Sequence, residues 1–352
     1  MNIADLARPE ILALKPYASA RALADSAGIL LNANENPWPP IHDDGLNLNR
    51  YPDPQPAALK ARLARLYGVD TDQLLITRGS DEGIDLLTRA FCRAGRDQVL
   101  ICPPCFGMYA LSARIQGAGV VEYPLIETEQ GWELDVAGLK RAPDCRLYYL
   151  CSPNNPTGNL IEAKTVLELA ARVDDHGLVI VDEAYIELCD QPSLAAQVAN
   201  QPNLVILRTL SKAFGLAGCR LGALIAQPAL IELLRRIIAP YPLPTPSIAA
   251  AMHALDESEA RKQQRLVLKE QKERLLPVLN NHPGILKVWP GEANFVLLRA
   301  RDGQDLMRAA AEAGIRLRDQ SAQAQLSNCV RITIGTPDEV DRLIRFLEDT
   351  YS

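Results

Sequence analysis

Short, continuously apolar runs alternate with stretches of helical periodicity along most of this chain, and that alternation leaves few architectures open. The runs begin at Leu74, Val99, Leu147, Leu178 and Leu204. Because they are apolar throughout rather than at every second residue, strands formed from them must be covered on both faces. Strands that alternate with helices favour parallel pairing. The sequence therefore predicts a three-layer α/β domain around a mostly parallel sheet.

A proline-rich segment over residues 239–246 interrupts this pattern. Proline removes a backbone donor and cannot continue a helix or a central strand, so we expect the large domain to end here. Beyond it, a long helical pattern, strand-like runs at 294–298 and 330–334, and a terminal helical pattern predict a smaller α+β domain. The predicted division is an N-terminal arm (1–30), a large domain (31–245) and a small C-terminal domain (246–352).

Composition excludes several classes of function. The 352 residues carry a net charge of -6, which gives no reason to expect a nucleic-acid partner. No apolar run approaches the roughly 20 residues needed to cross a bilayer, so we expect no membrane partner. The first five residues have neither the basic flank nor the apolar core of a secretory signal, and the eight cysteines sit mostly in apolar contexts typical of reduced thiols. We expect a cytoplasmic protein that acts on small molecules.

The Cys-Pro-Pro-Cys segment over residues 102–105 has the spacing of a redox or zinc motif. Zinc needs about four ligands, no second pair of this spacing follows, and the histidines are scattered. The sequence favours a structural loop here, and we expect no bound metal.

Lys212 follows the apolar run at 204–207 and precedes small and apolar residues, so its amine should lie in a setting poor in water. Desolvation favours the neutral amine, which is the form that attacks an aldehyde. Lys212 is therefore a candidate for a lysine that carries a cofactor as an imine. An incidental lysine in an ordinary strand-to-helix loop also fits this segment.

An aromatic aldehyde phosphate on Lys212 would need a partner for its ring nitrogen and donors for its phenolic oxygen. Asp182 ends the run at 178–181, where a buried carboxylate requires a cationic or hydrogen-bonded partner. Tyr185 and Asn155, the latter in the tight loop at 152–158, can donate to the phenolic oxygen. Glu183 would take the place of Asp182 if the strand register differed by one residue. Asp182 could also be a simple capping residue, and the loop at 152–158 could be a plain turn.

The phosphate would need positive charge and amide donors. Ser80 and Asp81 stand where a strand gives way to a helix, so free backbone N–H groups should face an anion there, although Ser80 could be a simple N-cap. Ser211 and Arg220 flank Lys212 and can supply a hydroxyl and a fork-shaped cation. Phe106 can stack on the ring, while an aromatic residue after a strand is more often core.

Taken in order, these strand-end residues resemble those of the fold-type I aminotransferases that use pyridoxal 5'-phosphate, and the resemblance covers nearly the whole chain. Segments 15–21, 31–37, 49–52, 77–83 and 317–320 further resemble the pattern of the histidinol-phosphate aminotransferase family. The resemblance implies an internal imine at Lys212, which also moves protons during catalysis. It implies the roles above for Asp182, Asn155 and Tyr185.

The same resemblance implies that Ser80, Asp81, Ser211 and Arg220 hold the phosphate. Tyr51 would reach the phosphate of the neighbouring subunit's cofactor, which implies a homodimer. Phe106 stands where many relatives have tyrosine, so stacking is kept and a hydroxyl hydrogen bond is lost.

Substrate choice is implied to lie with Tyr17, Asn34, Arg318 and Arg331. The arginine corresponding to Arg331 receives the α-carboxylate of the donor, and two arginines could serve both carboxylate and phosphate because the guanidinium fork fits either. A solvent-facing strand position is the alternative for Arg331. The implied reaction is a ping-pong transfer from L-glutamate, which leaves as 2-oxoglutarate, to imidazole-acetol phosphate, giving L-histidinol phosphate in L-histidine biosynthesis.

Other functions on the same scaffold remain open at this point. They are a threonine-phosphate decarboxylase, an aromatic aminotransferase, and a non-catalytic module that senses pyridoxal phosphate. Such modules are usually attached to a DNA-binding domain, and no basic helical domain precedes Leu31.

Overall fold

The computed structural model describes residues 3–17 and 29–349, and its strands form two large sheets and one small hairpin. In chain order the strands are β1 (Leu74–Thr77), β2 (Gln98–Ile101), β3 (Gly119–Glu122), β4 (Ile126–Glu127), β5 (Trp132–Glu133), β6 (Leu147–Cys151), β7 (Leu178–Asp182), β8 (Leu204–Thr209), β9 (Gly222–Ile225), β10 (Ile285–Trp289), β11 (Phe295–Ala300), β12 (Arg318–Asp319) and β13 (Cys329–Thr333).

The helices fall between these strands, as the alternating pattern predicts. They are α1 (Pro9–Leu12), α2 (Ala57–Tyr67), α3 (Gly79–Phe91), α4 (Met108–Gln116), α5 (Val136–Leu139), α6 (Ala163–Arg172), α7 (Pro228–Leu234), α8 (Thr245–Asp256), α9 (Ser258–Asn281), α10 (Gly303–Glu312) and α11 (Pro337–Asp349), with short 3-10 turns at Ile3–Leu6, Thr71–Gln73, Ile186–Leu188, Leu194–Ala199 and Ala217–Cys219.

The large sheet has the strand order β1-β9-β8-β7-β6-β2-β3. Strands β3, β2, β6, β7 and β8 pair in parallel, while β9 runs antiparallel to both of its neighbours. The predicted mostly parallel sheet is confirmed. Strand β9 follows β8 through residues 210–221, which contain no α-helix, and pairs with β8 as an antiparallel neighbour.

Each central strand contributes alternate residues to two separate cores. Leu100, Tyr148 and Leu150 pack on one face of the sheet, whereas Val99 and Leu147 pack on the other. Successive side chains of a strand point to opposite faces, so a strand that is apolar throughout supplies both cores. The predicted three-layer α/β domain is therefore confirmed.

The small domain is built on the antiparallel sheet β10-β11-β13-β12, and α9 packs on this sheet through Leu275 and Leu279. Helix α8 instead packs Ala251 on the core of the large domain. Pro246 lies in the first turn of α8, where proline is tolerated, so the proline cluster opens a helix of the large domain. We therefore propose a domain boundary near residue 257 in place of the predicted 245/246.

The predicted N-terminal arm is only partly described. Ile3, Ala7 and Ile11 are buried in the core that also contains helix α7. Residues 18–28 of the predicted arm lie outside the described residues. Within the described part of the chain, no helix is both long enough and apolar enough to span a bilayer.

Candidate active site

The carboxyl ends of β6, β7 and β8 and the N-terminus of α3 surround a cavity with about 500 Å³ of empty space, part of it open to solvent. A crevice at the carboxyl ends of parallel strands is the usual place for a ligand in such folds. The predicted cofactor-binding residues other than Tyr51 all line it, together with three further positions. The lining consists of Ser80, Asp81, Phe106, Cys151, Asn155, Asp182, Ala184, Tyr185, Thr209, Ser211, Lys212 and Arg220.

Asp182, the last residue of β7, is the buried carboxylate of this cavity, with 2% of its surface exposed. Its Oδ2 accepts a hydrogen bond from the Tyr109 hydroxyl at 2.8 Å, and its Oδ1 accepts one from the Ala184 N–H at 3.1 Å. Burial raises the pKa of Asp182 to about 6, against the opposing effect of these two bonds and of Lys212. A buried carboxylate of this kind suits a protonated ring nitrogen.

Glu183 points away from the cavity, which decides the register left open by the sequence. Its carboxylate accepts bonds from the Ser193 hydroxyl at 2.5 Å and the Leu194 N–H at 2.7 Å, and it lies 3.3 Å from Arg208 Nη1. Asp182, and not Glu183, therefore faces the cavity.

Lys212 lies beside Asp182 with its Nζ 5.4 Å from the centre of the Tyr185 ring. Desolvation lowers the pKa of Lys212, and the positive charges of Arg331 and Arg220 lower it further, while Asp182 and Asp81 oppose them. The neutral amine is thereby favoured, which is the nucleophilic form of a lysine.

Arg220 closes the end of the cavity where helix α3 begins. Its Nη2 lies 3.0 Å from Asp81 Oδ2, and its Nη1 donates to the Ser211 hydroxyl at 3.3 Å. Gly79 has a φ of 72°, in the left-handed region that favours glycine, and a Cβ there would also displace the Arg220 guanidinium, whose Nη2 would lie 2.7 Å away. The carboxylate of Asp81 is engaged by Arg220. Asp81 can therefore offer an anion only its backbone N–H, because the N–H groups of a helix's first turn have no partner within the helix.

Arg331 connects the small domain to this cavity. Its Nη1 donates to Asn155 Oδ1, which leaves the amide NH₂ of Asn155 as the donor toward the cavity. Arg318 stands directly opposite Arg331 in the β12–β13 register, so the two side chains share one face of the sheet. Burial and the nearby charge of Arg318 lower the pKa of Arg331, whose buried Nε has no hydrogen-bond partner. Two adjacent cations with an unsatisfied donor suit an anionic ligand.

Five of the predicted residues do not line the cavity within this chain, among them Arg331, which reaches it only through its bond to Asn155. Tyr17 is 74% exposed, Asn34 and Arg318 are exposed, and Tyr51 is 47% exposed and stacks on Tyr241 at 4.4 Å between ring centres. The predicted contact of Tyr51 with a neighbouring subunit stays a prediction.

Sequence reasoning missed Tyr109, Thr209, Cys151 and Ala184. Thr209 Oγ1 bonds to both the hydroxyl and the N–H of Ser211, and thereby orients that side chain. The one available signal for Tyr109 was its position three residues after Phe106, just inside the helix α4 that begins at Met108. An aromatic residue on a buried helix face nevertheless has the sequence appearance of core.

The Cys102 and Cys105 thiols are buried and free. Burial raises the pKa of both, that of Cys105 to about 12, so they are protonated thiols rather than thiolates. No group of three or more metal-binding side chains occurs among residues 3–17 and 29–349.

Comparison with known proteins places these features in a family. The model of the class I and II aminotransferases matches residues 23–347. The histidinol-phosphate aminotransferase of Stenotrophomonas maltophilia is 45% identical over 351 residues, covering 98% of this chain and 96% of that protein. The enzyme of the same name from Aeromonas hydrophila is 44% identical over 356 residues, covering 100% of this chain and 99% of that protein.

Solved structures agree in fold. The histidinol-phosphate aminotransferase of Sinorhizobium meliloti, in complex with pyridoxal-5'-phosphate, superposes with a TM-score of 0.76 at 26% identity, covering 85% of this chain and 82% of that one. The L-threonine-O-3-phosphate decarboxylase of Porphyromonas gingivalis superposes with a TM-score of 0.73 at 25% identity, covering 88% of this chain and 96% of that one.

Proposed function

The chain belongs to the family of class I and II aminotransferases, and from this membership we propose a pyridoxal phosphate-dependent transfer of an amino group from L-glutamate to imidazole-acetol phosphate. The products are 2-oxoglutarate and L-histidinol phosphate, a step of L-histidine biosynthesis. The observation that carries the proposal is the convergence of Lys212, Asp182 and Arg220 on one cavity, in a chain 45% identical to a histidinol-phosphate aminotransferase along nearly its whole length.

The chemistry of the cavity fits pyridoxal 5'-phosphate at three points. Asp182 offers a buried carboxylate for the ring nitrogen, Lys212 an amine with a lowered pKa for the aldehyde, and Arg220 with the start of α3 a cationic cradle for the phosphate. The bound cofactor supplies an electron sink for the electron pair released at the substrate's Cα.

The other lining residues orient the ring. Asn155 and Tyr185 would donate to its oxygen, Phe106 would pack on its face, and Ser80 and Ser211 would add donors to the phosphate end. These assignments distribute the donors around the cavity, so that the ring is held in a single orientation.

Lys212 acts as the base and acid of the reaction. Its amine lies in the cavity, where it could take the proton from the substrate's Cα and later return it. The lowered pKa of Lys212 favours this role, because an efficient proton carrier has a pKa near the working pH.

Substrate anions are assigned to the two arginines. Arg331 would bind the carboxylate of glutamate, and Arg318, on the same face of the sheet, would join it in holding the phosphate of the second substrate. We propose Tyr17, in the N-terminal arm, and Asn34, at the start of the large domain, as further substrate contacts.

We further infer a homodimer in which Tyr51 reaches the partner's cavity. Ile29, Leu31, Trp38 and Ile41 are all more than three-quarters exposed in the single chain, and such a run of bare apolar side chains is typical of an interface. We infer a cytoplasmic location, since all eight cysteines are free thiols.

A two-substrate assay tests the proposal. The purified enzyme is incubated with glutamate and imidazole-acetol phosphate, and separately with threonine phosphate. The proposal expects 2-oxoglutarate and histidinol phosphate from the first mixture and no carbon dioxide from the second. Carbon dioxide without 2-oxoglutarate would identify a decarboxylase instead, and a faster reaction with aromatic amino acids would identify an aromatic aminotransferase.

A further inference from the structure

Tyr109 is held rigidly beneath the candidate active site. It is fully buried on α4, its ring stacks on Tyr149 with centres 4.8 Å apart and an interplanar angle of 7°, and the edge of Phe106 meets it at 5.7 Å. These contacts fix the ring, so the direction of its hydroxyl is fixed as well. That hydroxyl donates to Asp182 Oδ2 at 2.8 Å.

The surroundings of Asp182 make this bond important. Burial is the largest influence on its carboxylate and favours the neutral acid, and the negative charge of Asp81 acts in the same direction. The cation that opposes them is Lys212, whose own charge is disfavoured by burial. The titratable groups that face Asp182 from the packed elements are Tyr109, Asp81, Lys212, Cys151, Tyr149 and Tyr185.

We propose that Tyr109 is a positioning residue of the reaction, whose hydroxyl keeps the buried carboxylate of Asp182 ionised and aims it at the ring nitrogen of the cofactor. This inference rests on the proposed function, because it assumes the cofactor's ring is the ligand of Asp182. Tyr109 itself is not among the residues that line the cavity, so it would act through Asp182.

The proposal makes a specific statement about pH. A carboxyl with a raised pKa is neutral below that pKa, so binding of a protonated ring must then release a proton and weakens as the pH falls. Loss of a hydrogen bond to a charged group moves the pH of this weakening upward by about one to two pH units. At higher pH, Asp182 is ionised with or without Tyr109, and the affinities converge.

The test measures the affinity of the cofactor-stripped, full-length protein for pyridoxal 5'-phosphate between about pH 5 and about pH 9, outside any catalytic assay. Tyr109→Phe removes only the hydroxyl. Tyr149→Phe is the matched control, because it makes the same change in an equally buried, stacked ring whose hydroxyl faces Thr88 and the Ile84 carbonyl instead. Wild-type Lys212 is kept in all proteins, so its own titration cancels in the ratio of affinities.

We expect Tyr109→Phe to weaken binding about tenfold near pH 6 and little above about pH 8, and Tyr149→Phe to show no such trend. A loss that is equal at every pH, or the same trend in the control, would mean that Tyr109 only packs and would overturn the inference. Failure of the wild-type protein to bind the cofactor at any pH would refute the proposed function as well.

Two further proteins guard against a variant that does not fold. Replacing Tyr109 by 3-fluorotyrosine keeps the shape and strengthens the donor, so the weakening should move to lower pH. Adding Tyr109→Phe to an Asp182→Asn background should leave no pH-dependent change, since the amide does not titrate. A shift of the weakening to higher pH with 3-fluorotyrosine, or a pH-dependent change in the Asp182→Asn background, would contradict the inference.

Discussion

Gly158 provides a sharp test of how the two domains hold the active-site loop. It ends the loop that carries Asn155, and its φ of 75° lies in the left-handed region. A Cβ built on Gly158 would lie 2.7 Å from the Cα of Gly291, which belongs to the small domain. Because the obstacle is backbone rather than a flexible side chain, Gly158→Ala must push the two segments apart.

Hydrogen bonds prevent the small-domain segment 291–293 from moving away from Gly158. Lys272 on α9 donates to the carbonyls of Gly291 and Ala293 at 2.6 and 3.1 Å, and the Glu292 N–H donates to the Gly158 carbonyl at 2.7 Å. Left-handed backbone costs an alanine about 1–2 kcal/mol. Overpacking adds about 1–3 kcal/mol, so the expected loss in the free energy of unfolding is about 2–5 kcal/mol.

Gly95→Ala is the matched control, because Gly95 has a φ of 68° and nothing within 4 Å of its ideal Cβ. It should lose about 1–2 kcal/mol, the backbone strain alone. Denaturant unfolding of the cofactor-free proteins measures both values, and the KM for glutamate should rise only in Gly158→Ala, where the bond from Arg331 to Asn155 is disturbed. Equal losses of stability in the two variants would refute the reasoning.

Three further predictions concern single side chains of the site. Lys212→Ala should fold with a normal unfolding curve yet lose at least about 10²-fold in kcat, and a near-normal rate would exclude Lys212 as the proton carrier. Arg331→Lys should raise the KM for glutamate about tenfold to hundredfold through loss of a charged hydrogen bond, whereas Arg316→Lys, an exposed arginine of the same domain, should leave it unchanged. Folding raises the pKa of Asp182 from 3.8 to about 6. The folded chain therefore carries no penalty from this carboxyl below about pH 4, where it is neutral in both states, and loses free energy of unfolding as the pH rises through about 6. Asp182→Asn should therefore stabilise the cofactor-free chain at pH 8 by about 3 kcal/mol and hardly at pH 4, and an equal effect at both pH values in thermal unfolding would contradict this.

Local signals made much of the fold predictable. The runs starting at Leu147 and Leu178 are apolar at consecutive positions, and that property alone requires two covered faces. The proline cluster leaves the position of the boundary open, because proline is as compatible with the first turn of a helix as with the end of a domain. Which of the two it marks depends on what the following helix packs against.

Part of the candidate site was also predictable from local signals, and part was not. Lys212 and Asp182 stand at the ends of apolar strands, and in a parallel sheet these ends meet at one edge, so their proximity follows from the order of elements. The bond from Tyr109 to Asp182 joins residues 73 apart in sequence, and the helix pattern around Tyr109 carries no mark of it.

The sequence by itself determined the three-layer architecture and the edge of the sheet where the candidate site lies, because burial pattern and strand order are properties of the chain. Only the tertiary structure decided which carboxylate faces the cavity, that Arg318 and Arg331 share one face, and that a buried tyrosine holds Asp182. Those features depend on register and on packing between distant segments. Distances of a few ångströms set hydrogen bonds and pKa values, and no local pattern encodes them.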